Sequence, residues 1–202
     1  MMKLYKLSPS PYVRKVHVTL IETGLIDQVE LISGANSPLD PDPALTALNP
    51  LGKIPALVRD DGGTLYDSRV ICRYLDHVAG AGLYPETRVW DVLTLEATAD
   101  GMLDAALAMT YEARFREGEK FWPEWVEAQW VKIARALAAL EGRWMSHLAG
   151  PLDAGQIAVG CALGYLDLRH DARGWRNGHP SLARWYEGFA ARPSMQETVP
   201  KG

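Results

Sequence analysis

The chain has 202 residues, enough for one large domain or two small ones sharing an interface. Hydrophobic residues make up 48% and charged residues 23%, the balance of an ordinary globular protein, so disorder is not the default reading. A net charge of −4 gives no electrostatic reason to expect nucleic acid or an anionic membrane as a partner. The start, Met1 to Leu7, has too short an apolar run for a signal peptide. The longest charge-free apolar run, Ile157 to Leu166, falls far short of the ~20 residues of a membrane-spanning helix. Two cysteines, Cys72 and Cys161, share no metal-ligand spacing and form no multi-bridge framework, which points to a reducing cytoplasm. The five histidines are scattered, so no metal site is expected.

The first ~80 residues alternate strand-like and helix-like runs, as an α/β domain does. Lys3 to Leu7 reads as a strand. Ser10-Pro11 opens a helix, with serine as N-cap and proline at the first helical position. Val13, Val16, His17 and Leu20 recur along one face of it, and Gly24 ends it. Val29 to Ile32 is a second strand, 33–43 a loop, and Ala44 to Leu48 a short helix. Ile54 to Val58 and Thr64 to Tyr66 flank Asp60-Asp61-Gly62-Gly63, a hairpin-turn signal. Asp67-Ser68 then caps a helix carrying Val70, Ile71, Tyr74, Leu75 and Val78. The order is β-α-β-α-β-β-α.

After the glycine-rich stretch Ala79 to Gly82 the pattern is helical throughout, so the reading assigns residues 1–79 to one domain and 86–202 to an all-α bundle. Trp90 to about Arg116 is one long helix and Pro123 to about Leu148 another. In the latter, Val126, Trp130, Ile133, Leu137, Leu140, Trp144 and Leu148 form a sustained apolar stripe. Asp153 and Gln156 resemble a capping box. The helix behind them is apolar nearly all round and should sit at the centre of the bundle. His179-Pro180-Ser181 begins a last helix with Leu182, Trp185 and Phe189 inward.

Three segments carry chemistry. In Asn49-Pro50-Leu51-Gly52-Lys53-Ile54-Pro55, a proline beginning a strand removes a ladder donor. Either it occupies a strand's first position, or the Ile54-Pro55 bond is cis and turns the Ile54 backbone outward to pair with an extended peptide. Asp67-Ser68 at a helix start is either a plain N-cap pair or an anion site suited to an α-carboxylate, with the Asp67 carboxylate holding an α-ammonium. Ser10 is either a simple cap or a hydroxyl donor to a thiolate supported by the helix dipole. Ser8 competes as the cap, and Tyr5 and Tyr12 are rival hydroxyl donors.

Taken together, Ser10-Pro11-Tyr12-Val13-Arg14-Lys15, Asn49 to Pro55, and Tyr66-Asp67-Ser68 with Ile71, Tyr74 and Leu75 resemble a cytosolic glutathione S-transferase. The likeness spans nearly the whole chain and is nearest to the bacterial theta- and omega-like groups, which place Ser or Cys at the position of Ser10. It implies a thioredoxin-like first domain and a helical second one, glutathione as co-substrate, and a homodimer. By resemblance, Ile54 before cis-Pro55 pairs with the cysteinyl part of glutathione. Asp67 and Ser68 hold its γ-glutamyl end, Lys53 lies near its glycine end, and Ser10 steadies the thiolate, with Arg14 a further neighbour. The family normally seats its electrophile against the helix around residues 100–117. Met102, Met109 and Tyr111, with Leu107 and Phe115, are the residues available there, the other reading being that they are core.

The resemblance also carries departures. Asp153 and Gln156 replace the usual Ser or Thr with Asp of the family's central capping box. Asp67 stands where many members have Glu. Serine at position 10, where redox members have cysteine, excludes a mixed disulfide there. The leading activity is conjugation of glutathione with a small hydrophobic electrophile. The alternatives are glutathione-dependent isomerisation or reduction, and a non-enzymatic binding protein of the same fold acting in stress responses.

Overall fold

Strand β1, Met2–Lys6, begins the chain and buries Met2 and Leu4 on alternate positions. It pairs in parallel with β2, Val29–Ser33, and antiparallel with β3, Ala56–Val58, which pairs antiparallel with β4, Thr64–Leu65. The sheet order is therefore β2-β1-β3-β4. Helices α1 (Pro11–Glu22) and α2 (Pro43–Leu48) come before β2 and β3, and α3 (Ser68–Ala79) follows β4. This is the predicted β-α-β-α-β-β-α order. The structure, a computed structural model, describes residues 1–34 and 37–200. Ala35 and Asn36 of the expected 33–43 loop, and residues 201 and 202 at the expected end of the second domain, lie outside the described residues.

Strand β3 is shorter than the expected 54–58, because Pro55 has no N–H to give the ladder and pairing starts at Ala56. The hairpin turn lies where Asp60 to Gly63 predict it: the Arg59 N–H donates to the Gly63 carbonyl at 2.8 Å, and Gly62 takes φ +86°. Helix α3 ends on Gly80 in the left-handed region, a conformation that favours glycine. The buried Asp76 carboxylate then accepts the Leu83 and Tyr84 N–H groups at 2.7 and 3.2 Å, which pins the chain leaving the helix.

By its contacts the chain divides into two units, residues 1–88 with 193–202, and residues 89–192. The sequence pattern carries the tail with the helical half and assigns no helix after the one begun at His179-Pro180-Ser181. A further short helix, α9 (Pro193–Glu197), instead packs on α1 in the first unit. The reason is Arg14. Its guanidinium, in a residue only 8% exposed, needs acceptors, and finds the Met195 carbonyl at 3.0 Å and the Thr198 hydroxyl at 3.4 Å. The Ser194 hydroxyl donates to Glu22 nearby.

The second unit is helical. Its centre is α7, Ala154–His170, buried without a break from Ala154 to Leu166. It packs on α4, Val89–Phe115, so closely at Gly155 that an added Cβ would lie 3.0 Å from Leu95. The capping box forms as expected: Gln156 N–H to Asp153 Oδ1 and Asp153 N–H to Gln156 Oε1, both 3.1 Å. The other Asp153 oxygen lies 2.7 Å from His147 Nε2, and the Gln156 amide donates to the Leu148 carbonyl at 3.1 Å.

The segment predicted as one helix over 123–148 is broken into α5 (Pro123–Ala139), a wider π-helical turn over Leu140–Trp144, and α6 (Met145–Leu148). Leu140 and Leu148 stay buried on the apolar stripe while the Glu141 carboxylate accepts the Ser181 and Leu182 N–H groups at 3.1 and 2.8 Å. Those are orphan donors at the start of α8, Pro180–Ala190, so Glu141 acts as its remote cap. Among the described residues no helix is long and apolar enough to cross a membrane.

Candidate functional site

Register places the three chemistry-bearing segments of the sequence at one end of the sheet. Tyr5, near the end of β1, faces Ala56, the first residue of β3, and Leu65, the last of β4, faces Leu57. The chain leaving β1 reaches Ser10, the chain entering β3 passes through Ile54-Pro55, and the chain leaving β4 reaches Asp67-Ser68. Helices α1 and α3 both begin at that end and pack on each other.

Ser10 is the N-cap of α1, and its Oγ accepts the Val13 N–H at 3.3 Å. Both readings of Ser10 survive in one geometry, because a hydroxyl that accepts through its lone pair keeps its proton for another acceptor. Pro11 follows at the first helical position, where a missing N–H leaves no hydrogen bond unmade.

The Ile54-Pro55 bond is cis, the second of the alternatives the sequence offered. Pro55 is buried, Ile54 half-buried and outside the ladder, and Lys53 exposed. Asn49, to which the sequence pattern assigns no role, holds this segment. Asn49 is 1% exposed; its amide donates to the Lys53 carbonyl at 2.8 Å, and its side-chain oxygen accepts the Leu51 N–H at 3.1 Å. Gly52 is needed twice over: its φ is +59°, and a Cβ would meet Pro41 at 3.2 Å and Thr46 at 3.3 Å. The only signal for Asn49 was its place at the head of a proline–glycine turn. A cleft bordered by Leu7, Ile32, Leu45 and Ile54 holds about 10 Å³, too little to enclose a ligand.

Asp67 caps α3, accepting the Arg69 N–H at 3.0 Å, and its second oxygen takes the Arg69 guanidinium at 2.9 Å. The peptide before it, Tyr66-Asp67, is also cis. Burial alone would raise the Asp67 carboxyl. The hydrogen bonds and charge of Arg69, with the charge of Lys15 behind them, outweigh it and hold the group below the usual carboxylate range. Lys15, on α1 and 1% exposed, and Arg69 are further charges to which the sequence pattern gives no role. Ser68 opens α3 and is buried. Arg14 does not join this group, since its guanidinium is committed to Met195 and Thr198.

The candidate electrophile residues separate. Met102, 2% exposed, is core. Tyr111 is half-buried and packs on Phe115 with ring centres 5.4 Å apart. Met109 is also buried, at 3% exposure, and alone of the three borders a groove of about 490 Å³ in the helical unit. Apolar helix positions are mostly used for packing, which is why spacing alone could not sort them. Among the described residues no cluster of His, Cys, Asp or Glu could hold a metal ion.

Comparison with known proteins agrees with this architecture. The family model "Glutathione S-transferase, N-terminal domain" matches residues 9–78, and "Glutathione S-transferase, C-terminal domain" matches 123–188. A glutathione transferase family member from Pseudomonas fluorescens Pf-5, solved with bound glutathione, is 48% identical with a TM-score of 0.97, covering 100% of both chains. A second such structure from that organism, with bound S-(propanoic acid)-glutathione, is 46% identical with a TM-score of 0.92, again over 100% of both chains. The GST-like protein YibF of Escherichia coli K12 is 34% identical over 98% of each chain. With both domain models matched and full-length relatives at these identities, the chain belongs to the glutathione S-transferase family.

Proposed function

We propose that the protein binds glutathione along the first unit and activates its thiol for attack on a small hydrophobic electrophile. The observation that carries this reading is the convergence of Ser10, Ile54 and Asp67-Ser68 at one end of the sheet, in a chain whose relatives were solved with glutathione or a glutathione conjugate. In this reading the main chain of Ile54, outside the ladder, pairs with the cysteinyl residue as an added strand. The γ-glutamyl carboxylate takes the N-terminus of α3 at Ser68, where unpaired N–H groups and the helix dipole favour an anion. Its ammonium shares the Asp67 carboxylate with Arg69. Lys53, exposed beside Ile54, reaches toward the glycine carboxylate.

The thiol then lies toward the start of α1. The Ser10 hydroxyl, its oxygen already anchored by the Val13 N–H, donates its proton to the sulfur, and the positive end of the helix supports the charge. A drop of about two units in thiol pKa is enough to make the thiolate dominant at neutral pH. The nucleophile belongs to glutathione, so the protein needs only to hold and charge it. Because serine cannot form a mixed disulfide, conjugation suits this site better than thiol–disulfide exchange. We also assign the chain to the Ser-type members and to a homodimeric state, for which sedimentation should give about twice the 22.3 kDa chain mass.

Retention on immobilised glutathione, followed by turnover with aryl halides, peroxides and isothiocyanates, tests the reading. Retention with turnover of any class supports it. Retention without turnover favours a glutathione-binding protein, and no retention contradicts the glutathione site itself.

A further inference from the structure

Arg69 answers the Asp67 charge before any ligand arrives. Its N–H and Nε donate to Asp67 Oδ1 at 3.0 and 3.5 Å, and its Nη2 donates to Oδ2 at 2.9 Å. One residue therefore engages both carboxylate oxygens. A carboxylate has about four lone-pair positions, so a single one, on Oδ2, is left for an incoming ammonium. The charge of Lys15, buried on α1, bears on the same carboxylate. An ammonium bound here gains little, because it joins a carboxylate already compensated and meets like charges beside it.

The first turn of α3 has the opposite balance. Ser68 is 1% exposed, and its hydroxyl has no hydrogen-bond partner among the described residues. The Ser68 and Val70 N–H groups also find no acceptor among them, since Asp67 reaches the Arg69 N–H alone. A buried donor left unmatched costs free energy that a ligand oxygen recovers. These donors stand at the positive end of a 12-residue helix, which favours an anion.

We infer that Arg69 is a specificity-determining residue of the γ-glutamyl site: by pairing with Asp67 it lowers the worth of the ligand's ammonium and leaves the α-carboxylate to decide binding. The inference rests on the glutathione reading and widens its co-substrate class. Thiols whose acyl group carries that carboxylate but no amine are accepted; those with the amine alone are not.

The test titrates the intact protein with glutathione, glutaryl-Cys-Gly, which lacks the amine, and 4-aminobutyryl-Cys-Gly, which lacks the carboxylate, followed by NMR. In the wild type, glutaryl-Cys-Gly should bind within about fivefold of glutathione, and about tenfold tighter than 4-aminobutyryl-Cys-Gly. R69Q keeps the backbone N–H that closes the helix start, and its replaced side chain is 55% exposed, so its thermal midpoint should stay near wild type. In R69Q the Asp67 charge is no longer compensated, and the gap between the two analogues should shrink to about twofold or reverse. R69K, which keeps the charge, should keep the wild-type order, a result that a purely structural role for Arg69 does not give. Equal binding of the two analogues to the wild type overturns the inference while glutathione binding stands. So does a tenfold gap that survives in R69Q. Binding of none of the three at about 10 mM removes the glutathione reading itself, and this inference with it.

Discussion

The Asp67 carboxylate holds Arg69 twice, by its N–H at 3.0 Å and by its guanidinium at 2.9 Å. One side chain therefore starts a helix and places a negative charge at the mouth of the proposed γ-glutamyl site. An asparagine in its place would keep the first role and lose the second, since asparagine caps as well as aspartate. D67N should change stability by less than about 0.5 kcal/mol yet weaken glutathione binding about tenfold or more. D67A should lose both, with about 1 kcal/mol of stability gone. Thermal melts and glutathione titrations of the two variants check this; wild-type affinity in D67N would remove Asp67 from the site.

Ser10 couples folding to chemistry in the same way. Ser10→Ala removes the acceptor for the Val13 N–H and should cost about 1 kcal/mol. Its specific signature is a raised apparent pKa of bound glutathione, read from thiolate absorbance against pH, with much of the affinity kept. An unchanged profile would hand the role to Ser8, Tyr5 or Tyr12.

Arg14 separates a structural residue from a binding one. Arg14→Gln should lower the thermal midpoint and expose the Pro193–Glu197 segment to proteolysis, because the Met195 carbonyl loses its guanidinium partner. Glutathione affinity should not move. A loss of affinity with the midpoint unchanged would return Arg14 to the site.

The stability of the fold should fall on mild acidification. His17 and His170 are both held below the ordinary histidine value, in each case chiefly by burial. The unfolded chain takes up protons at these positions before the folded protein does. Their contribution is therefore complete above pH 6.5, the ordinary value, and lost as pH falls below it. Asp67 and Glu141, held below the usual carboxylate range, keep their charges through this window and lose them only at lower pH. Melting points should drop between about pH 7.5 and pH 5.5, and H170Q should lessen the drop. A midpoint that is flat or rises on acidification would contradict it.

Much of this was legible in the sequence because the signals were local. Ser10-Pro11, Asp67-Ser68 and Asp153 with Gln156 predict helix starts by hydrogen bonds that close within three residues, and all three form. The features that were not legible depend on distant partners. Glu141 caps a helix 40 residues away, Arg14 reaches the last turn of the chain, and Lys15 acts on Asp67 across two helices. Met102 and Met109 look alike as helical apolar positions and are both buried, at 2% and 3% exposure, and only the fold shows that Met109 borders a groove.

Calorimetric titration of the intact protein with glutathione decides whether the first unit holds the tripeptide at all. A saturable heat is expected, with one molecule bound per chain and a dissociation constant of about 1 mM or below, in the ordinary range for enzyme substrates. That heat should be sharply reduced in D67N. A flat titration at millimolar glutathione, in a protein whose melting curve shows it folded, would rule out a glutathione site on the first unit.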